Sequence, residues 1–254
     1  AGLTNGTLKY VAVTGFADGS SSTVDELSST TTRATGITSG TAFTLSTTVA
    51  TTFSRPEDGA WDPSNPNRFY FVTTDRLDAG NDTGTGNIGR TRLWRLNFTD
   101  ITNPDLGGTI DLLIDGGNTA ANQANGRPAN IANMFDNLTV TSDGKIVLCE
   151  DVGNAAHNGK VWFFDPTTNA LTQIFKHDAA RFGDIGIPAT APFTIDEETS
   201  GVIDVSSIFG VNAAAGEHTY LIVDQAHYTT GIAAENVEGG QLLLIQHKPN
   251  AAFS

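Results

Sequence analysis

Acidic residues recur in this sequence where predicted β-strands begin and end, and they are the first candidates for chemistry. The clustered positions are Glu57, Asp58, Asp62, Asp75, Asp78, Asp136, Glu150, Asp151, Asp196, Glu197, Glu198, Asp224 and Glu238. If equivalent strand ends converge, these carboxylates repel one another unless a cation neutralises them. Oxygen donors without a histidine cluster favour Ca²⁺ or Mg²⁺ over zinc or copper. The pattern predicts a carboxylate-lined cation site; the alternative is that these are solvated turn residues.

The lone cysteine and one histidine are the other reactive candidates. Cys149 precedes Glu150 at the end of an apolar run. It is either a metal ligand or nucleophile, or a buried small hydrophobic residue, and the apolar context favours the buried residue. His227 follows a predicted strand end, where a general acid, a metal ligand and a turn residue are all open interpretations. No motif of a serine hydrolase, a P-loop nucleotidase or a dinucleotide-binding dehydrogenase occurs.

Charge and composition exclude several classes of protein. The 254 residues include 28 Asp and Glu against 14 Lys and Arg, a net charge of -14, so no basic surface is available for nucleic acid. With 39% hydrophobic and only 17% charged residues, the chain is not an acidic disordered protein. No run approaches the roughly 18 apolar residues that span a bilayer. The sequence opens at Ala1 without Met, which suggests a mature or cleaved product.

The hydrophobic periodicity is that of β-structure. The predicted strands are Leu8–Thr14, Ala42–Thr48, Phe69–Thr73, Leu93–Phe98, Ile110–Ile114, Ile146–Cys149, Val161–Phe164, Leu171–Phe175, Tyr220–Val223 and Gln241–Ile245. Turn residues separate them, including Asp62-Pro63, Asn158-Gly159 and Asp165-Pro166. Long loops are predicted over Ala79–Gly89 and Asn118–Asn133.

An acidic block followed by apolar strands occurs three times. The blocks are Arg55–Gly59, Phe135–Leu138 and Asp196–Thr199. Such repeats predict the four-stranded antiparallel blades of a β-propeller, with a generic β-sandwich as the alternative. Three units and the material before residue 54 amount to fewer blades than the roughly four to eight of a propeller. We therefore expect residues 1–254 to form one all-β, propeller-like domain that is partial or truncated.

Five segments resemble the PhoX-like alkaline phosphatases of bacteria, and in particular their phytase-like, calcium-dependent relatives. The segments are RPEDGAWDPSNPNRFYFVTTD (Arg55–Asp75), FDNLTVTSDGKIVLCED (Phe135–Asp151), DEETSGVIDVS (Asp196–Ser206), YLIVDQAHY (Tyr220–Tyr228) and VEGGQLLLI (Val237–Ile245). The resemblance implies a β-propeller phosphomonoesterase that is secreted or periplasmic. It implies Ca²⁺ in the channel, with iron as a further possibility, and a small phosphate ester as substrate.

The resemblance also implies which carboxylates face the metal centre. It gives Glu57, Asp136 and Glu150 as the candidate catalytic residues. With the neighbouring clustered carboxylates, the predicted metal ligands are Glu57, Asp58, Asp136, Glu150, Asp151, Glu197 and Asp224. Their expected role is to hold cations that bind phosphate oxygens, screen charge and orient the attack.

One family feature does not occur in this sequence, the upstream acidic segment similar to Thr-Trp-Leu-Ser-Cys-Glu-Glu. Cys149 belongs to the later motif and is not its equivalent. We therefore expect the chain to be the C-terminal portion of a phosphatase, with an upstream part or self-association completing an open sheet edge. The alternative function is a non-catalytic β-rich binding or surface module that lacks a complete metal centre.

Overall fold

The computed structural model describes residues 13–14, 25–26, 53, 55–74, 91–116, 134–153, 158–212 and 215–248. The strands are β1 (Val13–Thr14), β2 (Asp25–Glu26), β3 (Pro56–Trp61), β4 (Arg68–Thr73), β5 (Arg92–Phe98), β6 (Gly108–Asp115), β7 (Phe135–Val140), β8 (Ile146–Glu150), β9 (Lys160–Asp165), β10 (Ala170–Lys176), β11 (Glu198–Asp204), β12 (His218–Ala226) and β13 (Gly239–His247). Two one-turn helices, α1 (Ala179–Phe182) and α2 (Ser206–Phe209), and 3₁₀ turns at Pro104–Leu106 and Ala234–Asn236 complete the described elements.

Consecutive strands form antiparallel sheets. Strands β3 to β6 make a first four-stranded sheet, β7 to β10 a second, and β11 to β13 a three-stranded third sheet, while β1 pairs with β2. Sequential order within each sheet is what a blade repeat requires. The predicted all-β, propeller-like class with four-stranded antiparallel sheets is therefore confirmed.

The acidic blocks are themselves strands, which the apolar periodicity did not indicate. They overlap the beginnings of β3, β7 and β11, the first strand of each sheet, although Asp196 and Glu197 precede β11. Each pairs through its main chain with the long strand that follows it, β4, β8 or β12. Their polar side chains do not alternate with apolar ones, so sequence period alone could not identify them.

The buried strand β8 separates two hydrophobic cores. Ile146 and Leu148 face the first sheet, in a core shared with residues such as Tyr70 and Val72. Val147 and Cys149 face the third sheet, in a core with Val202, Tyr220 and Ile222. Every residue of β8 is buried. A strand covered on both faces is a continuous apolar run, which explains the sequence Ile-Val-Leu-Cys.

Chain contacts divide the protein into two compact units. The larger contains residues 54–95 and 112–254, with both cores and all the candidate site residues. The smaller contains residues 1–53 and 96–111, and in its described part Thr99 N–H donates to the carbonyl of Gly107. Several predicted features lie outside the described residues, namely the strand Ala42–Thr48, most of the strand Leu8–Thr14, the acidic residues Asp75 and Asp78, and both long loops.

We expect Leu148→Ala to lower the free energy of unfolding by about 2–5 kcal/mol, because it removes a fully buried side chain from the first core. Leu242→Ala is the matched control, since Leu242 is 66% exposed and should change stability by less than about 0.5 kcal/mol. Urea unfolding of both variants checks this. Equal losses of unfolding free energy in the two variants would contradict the assignment of β8 as a strand buried on both faces.

Candidate functional site

The candidate residues lie near the beginning of the first strand of each sheet and near the end of the second strand. Antiparallel pairing sets Pro56 opposite Thr73, Phe135 opposite Glu150, and Glu198 opposite Gln225. Acidic residues from the start of one strand and the end of the next therefore share one end of each sheet. Contacts described below join these ends across the three sheets.

Each first strand has a register irregularity beside its acidic residues. The shifts fall between Pro56 and Gly59 in β3, between Phe135 and Asn137 in β7, and between Thr199 and Gly201 in β11. A β-bulge redirects a side chain out of the normal alternation and increases the local twist. Glu57, Asp58 and Asp136 are thus displayed by bulges rather than by regular strand geometry.

Asp58 connects the first and second sheets. Its Oδ1 accepts from Gly59 N–H at 2.7 Å, and its Oδ2 accepts from Leu138 N–H at 2.9 Å. Thr74 adds a second link, because its hydroxyl donates to the carbonyl of Phe135 at 2.8 Å. The start of β7 is consequently held against the start of β3.

Glu57 stands beside these links and keeps contact with solvent. Its Oε1 lies 3.4 Å from Nη2 of Arg55 and 3.3 Å from the Thr74 hydroxyl. Its side chain is 27% exposed. Neither contact is short, so this carboxylate is not held by a strong donor among them.

The pKa of Asp136 shows that several carboxylates lie near it. Its pKa is raised to about 6, first by burial and then by the nearby negative charges of Glu57, Asp151 and Asp58, while the positive charge of Arg55 opposes them. These four carboxylates therefore lie within electrostatic range of one another. We call these four residues, together with Glu198 described next, the acidic cluster; its members are Glu57, Asp58, Asp136, Asp151 and Glu198.

Glu198 extends the acidic cluster into the third sheet. Its pKa is raised to about 7, first by burial and then by a carboxyl–carboxylate hydrogen bond with Asp151. The Ser200 hydroxyl, which donates to Glu198 at 2.6 Å, lowers the pKa. Two carboxyl groups this close hold one proton between them. Sequence analysis selected Glu197 instead of Glu198. Because strand neighbours point to opposite faces, the acidic triplet at the start of β11 could not show which glutamate belongs to the cluster.

Glu197 and Asp224 belong to a different polar group. Nε2 of His177 lies 2.7 Å from Oδ1 of Asp224, and its Nδ1 lies 3.2 Å from the carbonyl of Gly159. Burial raises the pKa of Glu197, the Thr194 N–H and the His177 charge lower it, and Asp224 raises it. The structure therefore places these two predicted metal ligands beside His177 rather than in the acidic cluster.

Glu150 is anchored inside the second sheet. The side chain is fully buried. Its Oε1 accepts from the indole N–H of Trp162 at 2.8 Å, and its Oε2 accepts from Lys160 N–H at 3.1 Å. These bonds tie the end of β8 to β9. A catalytic role for Glu150 stays a prediction, and its partners are those of a structural residue.

Cys149 is a buried core residue. It is fully buried in the second core, and burial raises the pKa of its thiol to about 12. The thiol therefore stays protonated at neutral pH, whereas the thiolate is the form that binds metals and attacks electrophiles. This confirms the interpretation of Cys149 as a small hydrophobic residue.

We expect Cys149 in the native protein to resist dithionitrobenzoate at pH 8, because its thiol is both inaccessible and protonated. The same protein in guanidinium chloride should react at once and release one equivalent of thionitrobenzoate, since the chain has one cysteine. Rapid labelling of the native protein would show that β8 is not buried as described.

The donor chemistry of the acidic cluster fits a hard cation. Its side chains offer only carboxylate oxygens, the ligands that Ca²⁺ and Mg²⁺ prefer. The raised pKa of Asp136 shows negative charge that a cation would relieve. As they stand, no three acidic, histidine or cysteine side chains in the described part of the chain are arranged to hold one metal ion.

Comparisons with known proteins give the family. Within the described ranges, no helix has the length and apolar character needed to cross a membrane. No curated protein matches the chain. The family model described as "Alkaline phosphatase PhoX" matches residues 3–200, more than three quarters of the sequence, as the resemblance of the acidic motifs predicted. The chain belongs to the PhoX alkaline phosphatase family.

Proposed function

We propose that this protein is a metal-dependent hydrolase of phosphate monoesters and that the acidic cluster is its cation site. The observation that carries the proposal is the environment of Asp136, where burial and three carboxylates raise its pKa and the guanidinium of Arg55 opposes them. Charge of this kind is stable near neutral pH when a cation shares the site. Membership of the PhoX family supports phosphate esters as the substrate class.

Glu57, Asp136, Asp151 and Glu198 are the residues that would hold the cation. Asp58 has both oxygens engaged by main-chain donors, so its role is to fix the bulge geometry between the sheets. The oxygen-only donor set favours Ca²⁺, which accepts six to eight ligands in flexible geometry. When bound, such an ion neutralises the cluster and binds phosphate oxygens.

Arg55 is the residue that would bind the phosphate. Its side chain is 40% exposed, and its guanidinium lies at the edge of the cluster, 3.4 Å from Glu57. Its φ of 50° lies in the left-handed region, which is costly for a residue with a side chain. A hydrogen bond from Thr74 N–H to the Arg55 carbonyl holds this conformation. A guanidinium binds two oxygens of a phosphate at once, which orients the ester.

Because the protein is strongly acidic, binding of a phosphate ester would require both the metal ion and the guanidinium of Arg55. At a net charge of -14 the protein repels a phosphate dianion at long range. A metal ion and Arg55 together create a local positive site within that negative field. Calcium at the millimolar level found outside cells would suffice for a site of modest affinity, which supports export of the protein.

We expect Glu57→Gln to lower p-nitrophenyl phosphate turnover by at least about 100-fold, because it removes a cation-binding charge. Glu235→Gln, at an exposed position in the 3₁₀ turn, is the matched control and should retain activity. Turnover should require added Ca²⁺ and stop on chelation. If the unmodified chain shows no turnover with any divalent ion, it is a non-catalytic module and the proposal is wrong.

We expect Asp136→Asn to stabilise the metal-free protein and to abolish stabilisation by calcium. The folded-state pKa of about 6 exceeds the ordinary value of 3.8, so the folded protein binds the extra proton and its stability falls as pH rises from about 4 to about 6. Removing the charge should therefore raise stability at pH 8 in chelator, on the order of 1 kcal/mol after allowance for solvent screening.

Thermal unfolding at pH 8, with chelator and then with Ca²⁺, measures both effects. Asp165→Asn is a control of opposite sign, because Asp165 accepts from Thr167 and Lys145 and its pKa is lowered. That variant should lose stability in chelator and keep its response to calcium. An Asp136→Asn protein that is less stable than the unmodified chain in chelator would contradict the electrostatic account.

A further inference from the structure

A histidine–carboxylate pair lies at the same sheet end as the acidic cluster. In the third sheet, Glu198 pairs with Gln225, and Ala226 pairs with Gly239. His227 and Glu238 directly continue these strands past the last pair. Nδ1 of His227 lies 3.2 Å from Oε2 of Glu238. The pairing therefore sets this imidazole beside the start of β11, where Glu198 enters the cluster.

The bond to Glu238 determines which form of the imidazole is present. A carboxylate oxygen only accepts, so Nδ1 carries the hydrogen and Nε2 of the neutral ring is an acceptor. The carboxylate also fixes the plane of the ring and stabilises the imidazolium that forms if Nε2 takes a proton. This is the arrangement of a general base oriented by a second residue.

The pair is partly accessible, unlike two of the other described histidines. The side chains of His227 and Glu238 are 23% and 35% exposed. His177 and His218 are each 3% exposed, and His247 pairs with His218 at the opposite end of the sheet. Among the described residues, His227 is thus a partly exposed imidazole at the end of the third sheet where Glu198 lies.

The electrostatic field around His227 connects it to the cluster. The positive form of the ring lowers the pKa of both Glu197 and Glu198. The charged groups that face it are Glu238 from the start of β13 and these two glutamates from the start of β11. Glu198 of the acidic cluster is thus within electrostatic range of the ring.

We propose that His227, oriented by Glu238, is the general base that activates water for the phosphate-ester hydrolysis proposed above, on which this inference rests. The water oxygen bonds to phosphorus as the bond between phosphorus and the leaving oxygen breaks. The water proton passes to Nε2 of His227, and the electron pair of the broken bond stays on the leaving oxygen, which takes a proton from solvent. The imidazolium then returns its proton to solvent, which restores the neutral ring.

The test compares His227→Gln with the unmodified protein on p-nitrophenyl phosphate and on glycerol 2-phosphate, with calcium present. We expect kcat/KM to fall by about 10²- to 10⁴-fold. The factor should be the same for both esters, because a base acts on the water and not on the leaving group. The rise of kcat/KM with pH should disappear in this variant. The affinity for Ca²⁺ alone, measured by calorimetric titration, should be unchanged. Imidazole added to His227→Ala should restore turnover.

Two further variants separate this role from a structural one. Glu238→Gln keeps the size of the side chain but loses the charge that stabilises the imidazolium, so it should lose less activity than His227→Gln and keep the rising limb at a shifted pH. His247→Gln, at the opposite end of the sheet, is the matched histidine control and should keep the activity and the pH profile of the unmodified chain.

The possible outcomes distinguish the two proposals. If the unmodified protein hydrolyses both esters and His227→Gln keeps its kcat/KM, the general base assignment is wrong and the phosphatase proposal stands. The assignment is also wrong if the loss is equal at every pH and imidazole does not rescue His227→Ala, since that result indicates a structural role. Absence of turnover by the unmodified protein with every divalent ion overturns the phosphatase proposal and this inference together.

Discussion

Repulsion among carboxylates at one end of the sheets is the constraint on which the rest of this structure depends. The acidic cluster brings negative side chains from all three sheets into one electrostatic group. Hydrophobic burial must hold them there, and β8 supplies it by packing Ile146 and Leu148 on one side and Val147 and Cys149 on the other. The cluster is therefore attached to the most buried strand described, where it cannot relax by moving apart.

The bulges give the first two sheets the same local solution. A regular strand would send successive acidic side chains to opposite faces, one of which is a hydrophobic core. The irregularities at Glu57–Asp58 and at Asp136 break that alternation where the carboxylates occur. Main-chain donors such as Leu138 N–H then satisfy the oxygen that points between the sheets. In these two sheets, the bulge thus allows charged side chains to lie at the edge of a buried sheet interface.

Sequence analysis predicted the part of the fold that depends on local pattern. Apolar strands such as β8 and β12 are predicted because their hydrophobic runs are continuous, and the expected convergence of acidic residues followed from the propeller-like repeat. The first strands were not found as strands, because bulges and polar residues remove the period of two. The environment of Glu150 depends on Trp162, a cross-strand partner whose indole N–H the sequence could not place. The choice between Glu197 and Glu198 required the register of β11 with β12.

The two acidic groups at this end of the fold differ in how their charge is balanced. His177 lies between the Gly159 carbonyl and the Asp224 carboxylate, with its Nε2 2.7 Å from Oδ1 of Asp224. Asp224 is therefore paired from within the protein by a buried partner. The acidic cluster has Arg55 at its edge, against several carboxylates. Since burial without a counter-charge is the costly state, the cation proposed above would stabilise the cluster around Asp136 rather than the group around His177.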